Sequence, residues 1–378
     1  MTQKADGDRV AVSIITGFLG SGKTTLIASL LRQPAMLGTA VIVNELGAVG
    51  IDDAIIAQST EETNVLLLKN GCLCCTAGDD LTATLLNLAR RSAGSPRQIL
   101  IETTGLADPV PLLLRLMSDP RLRDAIRLDT LVATVDGLNG LANLDDQPVA
   151  ASQAGVADRR LITKTDLAEP HQIEALSRRL SELNPGAEIR TISHGAIQAS
   201  DLLGVSLYDP ERRRARLDRW LDLDRYRAQM PQPHAGGRGM LGVSGWPAHG
   251  GSIRSWLIEH DRALDWDDLS SRIGRIVAGY GLALLRLKGV IWTTGDARPL
   301  VIHGVQRLFH HPVRIDRWPS EPRTSIVVIG DDGAGAGIAA ELLAEALRAA
   351  APEPPRRTDV LRRVQIDGSR RPGTGLVE

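Results

Sequence analysis

The sequence of 378 residues has few aromatic residues, little excess charge and no long apolar run. Aromatic residues make up 3% of the chain, so Leu, Val, Ile and Ala must form the cores. The formal net charge is −1, which gives no basic field to attract nucleic acid or an acidic lipid surface. No apolar run approaches the ~18 residues that a membrane span needs. These absences predict no nucleic-acid partner and no membrane partner.

Cysteine is also scarce, and its placement is informative. The chain contains Cys72, Cys74 and Cys75 and no other cysteine. An odd, clustered set does not make the disulfide framework of a secreted protein. The first residues are polar and lack the apolar segment of a signal peptide. We therefore expect a cytoplasmic protein whose thiols stay reduced and free to bind metal.

The first half of the chain alternates short apolar runs with helical patterns. The expected buried strands are residues 10–15, 40–43, 65–68, 98–101, 131–135 and 160–162. The expected helices include residues 23–31, 81–91 and 172–183. Buried strands that alternate with helices predict an α/β fold with a doubly wound, mostly parallel sheet covered on both faces. We assign this nucleotide-binding domain to residues 8–208.

The composition changes after this domain. Residues 209–250 are first rich in Arg and Asp and then in Pro, Gly and His, which predicts a helix followed by a linker. Residues 251–350 form a second unit with strands expected at 283–292, 300–305, 313–315 and 325–329. Helices are expected there at 267–280 and 336–350. This pattern predicts a smaller α+β domain, and the Pro-, Arg- and Gly-rich residues 351–378 predict a disordered tail.

A complete phosphate-binding loop follows the first expected strand and opens the first expected helix. That context favours a P-loop over a chance glycine-rich turn. The glycines let backbone N–H groups turn inward around phosphate oxygens, and the helix N-terminus favours negative charge. Lys23 should reach the β and γ phosphates, and the Thr24 hydroxyl should coordinate Mg2+. The predicted nucleotide-binding residues of this loop are Gly17, Gly20, Ser21, Gly22, Lys23, Thr24 and Thr25.

Two acids at strand ends are candidates for the second magnesium ligand. Glu102 begins the sequence Glu-Thr-Thr-Gly, and the backbone of Gly105 would suit a sensor of the γ-phosphate. Asp136 ends another strand but equally fits a strand-end turn, so it is the second choice. We therefore predict Lys23, Thr24 and Glu102 as the catalytic group, with Thr24 and Glu102 holding Mg2+.

The residues after the sixth expected strand indicate which base is bound. They read Thr163-Lys164-Thr165-Asp166. A lysine stem can lie along a purine ring, and a carboxylate accepts two hydrogen bonds from guanine N1 and N2. Adenine lacks that donor pair. Asn is more usual than Thr163 at the first position, but the motif's place in a P-loop domain favours GTP over ATP.

The cysteine cluster follows the third expected strand and precedes a helix. Thiolates are soft ligands that suit Zn2+ or Cu(I). Cys72, Cys74 and Cys75 supply at most three ligands, so a fourth must come from water, a histidine or Glu45. Glu45 follows the second strand and is equally a switch residue or a turn cap. Inert buried cysteines and a redox pair at Cys74 and Cys75 are the alternatives to an exchangeable metal site.

With these residues in place, the chain resembles the CobW-type GTPases, a family of metallochaperones. The resemblance extends from about Val10 to about Gly330. Its motifs are the phosphate loop, Asn44-Glu45-x-Gly47, Gly71-Cys72-x-Cys74-Cys75, Glu102-Thr103-Thr104-Gly105, Thr163-Lys164-x-Asp166, Leu285-Arg286-Leu287-Lys288-Gly289 and Trp318-Pro319. Family members often carry an acid where this chain has Ala48.

The resemblance implies GTP hydrolysis with Mg2+, binding of zinc or cobalt by the Cys-x-Cys-Cys motif, and delivery of that metal to a client protein. The sequence selects no client and is compatible with a homo-oligomer. Two other functions stay open at this point. One is a small-molecule kinase, which would need an acceptor pocket and no thiols. The other is a zinc-storage or redox-sensing protein that nucleotide merely regulates.

Overall fold

A computed structural model describes most of the chain. The described residues are 9–44, 65–68, 78–90, 95–204, 223–229, 243–245, 252–309, 311–318 and 321–351. Several predictions lie outside these ranges: Glu45, the three cysteines, most of the expected linker and the tail from 352 onward. The domain boundaries themselves stay predictions.

A parallel sheet forms the first part of the fold. Within the described ranges its strands are β1 Val10–Gly17, β2 Thr39–Asn44, β3 Val65–Leu68, β4 Gln98–Glu102, β5 Ile126–Asp136, β6 Arg159–Thr163 and β7 Glu188–Thr191. Their order is β3-β2-β4-β1-β5-β6-β7, and every pair is parallel. The sequence did not predict β7, because this short edge strand is only half-buried and carries charged residues.

Helices cover both faces of this sheet. The helices are α1 Lys23–Leu31, α2 Gly78–Ala89, α3 Pro109–Ser118, α4 Gly140–Asp146, α5 Pro148–Val156, α6 Pro170–Leu183 and α7 Ala199–Leu202, with a 3-10 turn at Pro34–Met36. Helices α3, α4, α5 and the short α7 were not predicted from the sequence. Residues 150–156 of α5 are all buried, so no polar face reveals a helical period.

An antiparallel sheet forms the second part. Its described strands are β8 Val243–Gly245, β9 Ile253–His260, β10 Leu284–Thr293, β11 Asp296–Val305, β12 Leu308–Phe309, β13 Val313–Arg314 and β14 Thr324–Asp331. Their order is β12-β11-β10-β14-β9-β8, with β13 beside β11. The sequence analysis did not predict β9, and β8 lies within the stretch that it read as a linker.

Three helices accompany the second sheet: α8 Leu223–Gln229, α9 Trp266–Tyr280 and α10 Ala336–Ala349, and a 3-10 turn at Asp332–Ala334 precedes the last. Leu269, Ile273 and Leu343 from α9 and α10 pack against Ile291 and Ile326 of the sheet in one buried cluster. The two sheets and their helices confirm the predicted α/β and α+β classes. Among the described residues, no helix is both long and apolar enough to cross a membrane.

Helix α5 joins the two parts of the fold. Ala154 and Val156 share one buried apolar cluster with Ile253, Leu257 and Ile329 of the second sheet. The contact is close, because a Cβ at position 155, where the chain has glycine, would lie 3.2 Å from a methyl carbon of Ile253. The two parts of the molecule therefore share a core instead of touching only at the surface.

Buried charges reinforce this junction. The Arg286 guanidinium donates to the carbonyl oxygen of Val156 and, at 2.7 Å, to Oδ1 of Asp158. Lys288 Nζ donates to the same Oδ1 at 2.9 Å. Burial would raise the pKa of Asp158, but the charges of Arg286 and Lys288 outweigh it and lower that pKa to about 2. Burial and repulsion from Arg286 outweigh the attraction of Asp158 and lower the pKa of Lys288 to about 8.

The low pKa of Lys288 predicts a specific dependence of stability on pH. The unfolded chain holds the lysine proton up to about pH 10.4, whereas the folded chain releases it near pH 8. Between these values the unfolded state binds more protons, so the lysine's contribution to the free energy of unfolding rises with pH. The stability of the parent relative to Lys288→Met should increase by roughly 2 kcal/mol between about pH 7.5 and about pH 10. Urea unfolding measures this difference, and an equal difference at both pH values would contradict it.

Candidate functional site

The phosphate loop connects β1 to α1 at the carboxyl edge of the parallel sheet. Gly17, Gly20 and Gly22 all have positive φ angles, of 147°, 70° and 89°. At Gly17 the space is also closed, because a Cβ there would lie 2.3 Å from Oγ1 of Thr134. Only glycine satisfies both conditions, and the resulting backbone turn opens directly into the N-terminus of α1.

The side chain of Lys23 folds back over this loop. Its Nζ donates to the carbonyl oxygens of Gly17 at 2.9 Å and Phe18 at 3.2 Å, and the residue is buried. Ser21 is tied to the neighbouring strand by a 2.7 Å hydrogen bond between its Oγ and Oγ1 of Thr134. The ammonium group therefore lies inside the loop, where it can meet phosphate oxygens.

Thr24 and Glu102 are in contact at the N-terminus of α1. Thr24 Oγ1 donates to Glu102 Oε1 at 3.0 Å, and Glu102 is 4% exposed. A hydroxyl beside a buried carboxylate is an oxygen donor set that suits Mg2+, so these residues fit the metal that a P-loop implies. Thr25 follows in the first turn of the same helix.

Asp136 has a different environment. It accepts from Lys164 Nζ at 2.7 Å and from the backbone N–H groups of Leu138 at 2.8 Å and Asn139 at 3.3 Å. Burial acts to raise its pKa, but these three donors outweigh burial, so the pKa lies below its usual value. The acid that was our second choice for magnesium is thus occupied in a strand-end turn.

The segment after Glu102 lies against the phosphate loop. A Cβ at Gly105 would lie 2.7 Å from Cδ2 of Leu19 and 2.8 Å from its backbone nitrogen. The segment is fixed at its start, because the Thr103 N–H donates to Ile15 O at 3.0 Å. Thr103 Oγ1 also donates to Thr16 Oγ1 at 2.9 Å. The backbone of Gly105 therefore lies next to the phosphate loop, and any residue with a side chain would clash with Leu19.

The residues predicted to recognise the base, Thr163, Lys164 and Asp166, lie at the end of β6 and just after it. Thr163 Oγ1 donates to Ser21 O at 2.8 Å, which holds the end of β6 to the phosphate loop. Lys164 adopts a left-handed φ of 53° and pairs with Asp136. Asp166 is 34% exposed, and His194 Nε2 lies 3.7 Å from its Oδ2.

Sequence reasoning missed the segment that carries His194. It follows β7 directly, and β7 was not predicted, so nothing drew attention to its carboxyl end. The next residue, Gly195, has a φ of 70°, and a Cβ there would lie 2.9 Å from the carbonyl oxygen of Thr25. This loop is therefore packed against α1 beside Asp166. The sequence signal that could have indicated this loop is Ser193-His194-Gly195, which follows a short polar strand.

The candidate thiol ligands and Glu45 lie outside the described residues. Within the ranges that the structure does describe, no three His, Cys, Asp or Glu side chains gather into a metal site. The strands that lead to these segments are described, however. Both β2 and β3 end at the sheet edge that carries the phosphate loop, and β2 separates β3 from β4.

Two family comparisons cover most of the chain. Residues 11–191 match the CobW/HypB/UreG nucleotide-binding domain, and residues 253–351 match the cobalamin synthesis protein cobW C-terminal domain. The chain belongs to the CobW family. The CobW resemblance inferred from its motifs is confirmed.

Known CobW proteins match over nearly the whole chain. The zinc chaperone YjiA of Escherichia coli (strain K12) is 32% identical over 326 residues, which cover 85% of this chain and 94% of YjiA. The zinc chaperone CobW of Pseudomonas aeruginosa is 30% identical over 369 residues, covering 88% and 91%. The Zn(II)-bound YjiA GTPase crystal structure aligns with a TM-score of 0.65 at 26% identity, covering 91% of this chain and 99% of that one.

A eukaryotic relative matches over a shorter stretch. The zinc-regulated GTPase metalloprotein activator 1 of Saccharomyces cerevisiae is 32% identical over 226 residues, which are 54% of this chain and 53% of that protein. The CobW relatives named here are thus described as zinc chaperones or as GTPases. The roles of individual residues in this CobW protein stay predictions.

Proposed function

We propose that this CobW protein is a GTP-hydrolysing metallochaperone that binds Zn2+, or Co2+, through Cys72, Cys74 and Cys75 and transfers it to a client protein. One observation supports this most: the Thr24–Glu102 pair lies at the sheet edge where β2 and β3 also end. The candidate nucleotide site and the end of β3, the strand that precedes the cysteines in sequence, therefore share one edge. The descriptions of the relatives as zinc chaperones support the same function.

In this proposal the chain's own groups position and neutralise the triphosphate. Lys23 contacts the β and γ phosphates, and Thr24 and Glu102 hold Mg2+. The bound ion supplies positive charge that offsets charge on the transferring phosphoryl group. Gly105 offers its backbone to the γ-phosphate, since a glycine there can approach the loop closely. Thr163, Lys164 and Asp166 bind guanine, with the carboxylate accepting from its N1 and N2 groups.

The strand order suggests how nucleotide and metal communicate. Neighbouring strands are ~4.8 Å apart, so β3 lies roughly 14 Å from β1 and one spacing from β2. Glu45 follows β2 in sequence, and β2 lies between β3, which precedes the cysteines, and β4, which ends at Glu102. A change in the nucleotide would act first on the segments after β2 and β4. Through them it would alter metal affinity at the cysteines after β3.

We predict that Asp166→Asn shifts preference from guanine towards xanthine nucleotides. The carboxylate accepts two hydrogen bonds from guanine, and the amide presents a donor in place of one acceptor. Sites built on such bonds discriminate by large factors. Competition binding with GTP, XTP and ATP measures the preference, with Asp146→Asn at an exposed carboxylate as the matched control. Equal competition by ATP and GTP in the parent would contradict guanine recognition.

We predict that the parent chain loaded with Co2+ shows thiolate-to-metal charge-transfer absorbance. The Cys72→Ser, Cys74→Ser, Cys75→Ser triple variant should lose it. The band should weaken as pH falls, because protons compete with the metal for sulfur. Phosphate release from GTP without any added acceptor, measured on the same samples, separates a GTPase from a small-molecule kinase. A charge-transfer band retained in the triple variant would contradict the assignment of the ligands.

A further inference from the structure

The buried side chain of Gln153 on α5 reaches the segment that follows Glu102. Gln153 is 1% exposed, and its Nε2 donates to the carbonyl oxygens of Gly105 at 3.2 Å and Ala107 at 2.9 Å. Two carbonyls from one short turn thus accept from the same side-chain amide. Any movement of Gly105 relative to the phosphate loop must break this contact or carry Gln153 with it.

The preceding residue holds the other end of the same segment. Ser152 Oγ donates to Oδ1 of Asp108 at 3.1 Å, and the same oxygen accepts from the Val110 N–H at 3.1 Å. Asp108 is therefore both the N-cap of α3 and a partner of α5. Consecutive side chains of α5 fix residues 105–108 from inside the molecule, on the side away from solvent.

The C-terminal end of α5 is anchored in the second sheet. Val156 O accepts from Arg286 on β10, and Asp158, just beyond the helix, pairs with Arg286 and Lys288. At nine residues, α5 is a rigid rod of roughly 13 Å. Gln153, in the middle of this rod, therefore contacts the segment next to the phosphate loop, and Val156 at its C-terminal end, about one turn further on, contacts the second sheet.

We propose that Gln153 is a positioning residue that couples the nucleotide state of residues 105–108 to the C-terminal domain through α5. This inference rests on the proposed function only in requiring that the chain binds GTP and GDP. With GTP, the Gly105 backbone is held at the phosphate loop, and Gln153 transmits that position to α5. The Arg286 contact then sets how α5 lies on the second sheet. By reciprocity, a change at the Arg286 contact alters the preference for GTP over GDP.

A purely structural role for Gln153 is the competing explanation, and it makes a different prediction. A buried carbonyl and a partly buried one without a donor destabilise the folded chain whichever nucleotide is bound. Such a role would lower the melting temperature and leave the preference between nucleotides unchanged. The ratio of the GDP and GTPγS dissociation constants, called the discrimination ratio below, therefore separates the two explanations.

The test is a double-mutant cycle on the full chain with Mg2+, using fluorescent GTPγS and GDP. Gln153→Met keeps the volume and removes the donor. Arg286→Lys keeps a charge beside Asp158 and removes the guanidinium fork that reaches Val156. We expect Gln153→Met to change the discrimination ratio about tenfold, within the ordinary range of coupling. Arg286→Lys should change the ratio several-fold in the parent and leave it unchanged in the Gln153→Met background. The matched control, Gln147→Met, alters an exposed glutamine that precedes the same helix and should change nothing.

Three outcomes would overturn the inference. The first is a discrimination ratio in Gln153→Met equal to that of the parent, and the second is an equal change of the ratio by Arg286→Lys with and without Gln153. The third is a parent chain that binds neither nucleotide, which would overturn the proposed function together with this inference. This outcome is distinguishable from the first two, because both of those require measurable nucleotide binding. Should Gln153→Met fail to fold, Ser152→Ala removes the adjacent contact to Asp108. It is expected to change the ratio in the same direction, and an unchanged ratio would count against the coupling.

Discussion

The register between β1 and β4 determines the geometry of the nucleotide site. Ile15 of β1 pairs with Glu102 at the end of β4, so the carboxylate lies level with the base of the phosphate loop. From there it reaches the Thr24 hydroxyl at 3.0 Å. Side chains alternate between faces along a strand, so a slip of one residue would turn Glu102 to the other side. The pairing continues to the ends of both strands, where the Thr103 N–H donates to Ile15 O at 3.0 Å, so the strand register is tied directly to the candidate chemistry.

The same sheet edge organises the remaining segments. Thr163 holds the end of β6 to the phosphate loop, and Asp136 at the end of β5 positions Lys164. On the other side, β4, β2 and β3 follow in order and lead to Gly105, Glu45 and the cysteines. The order of strands, more than any single contact, is what would let a phosphate group influence thiol ligands several strands away. The second sheet contacts this part of the fold through the C-terminal end of α5 and the buried Asp158.

The sequence predicted the parts of the fold that carry a local signal. Buried parallel strands appear as short apolar runs, and the phosphate loop needs glycines at set places, so β1 to β6 and the position of α1 could be predicted. Helix α5 could not, because burial on both sides removes the polar face that marks a helix. The edge strand β7 could not be predicted for the opposite reason: it is polar and only half-buried, so it contains no apolar run. With β7 unpredicted, the loop carrying His194 and Gly195 was missed as well.

The candidate site divides in the same way. Thr24 and Glu102 were predicted as partners, and the structure places them in contact, although their role as magnesium ligands stays a prediction. Asp136 remained a second choice because a strand-end acid can serve a metal or a turn. Only the three-dimensional structure shows its donors. Gln153 had no signal at all, because a single glutamine in a run of small residues matches no motif. The role proposed for it depends on the contacts of α5 with both parts of the fold.

We propose that nucleotide state controls metal affinity across the parallel sheet. The most direct measurement is the Zn2+ dissociation constant of the full chain, obtained by competition with a chelator of known affinity. It should be measured with Mg2+ and a GTP analogue, with Mg2+ and GDP, and without nucleotide. We expect the GTP-analogue and GDP constants to differ by about 5- to 150-fold, and Zn2+ to change the ratio of the two nucleotide affinities by the same factor. Equal Zn2+ affinity in all three states would contradict it, even if the cysteines prove to be the ligands.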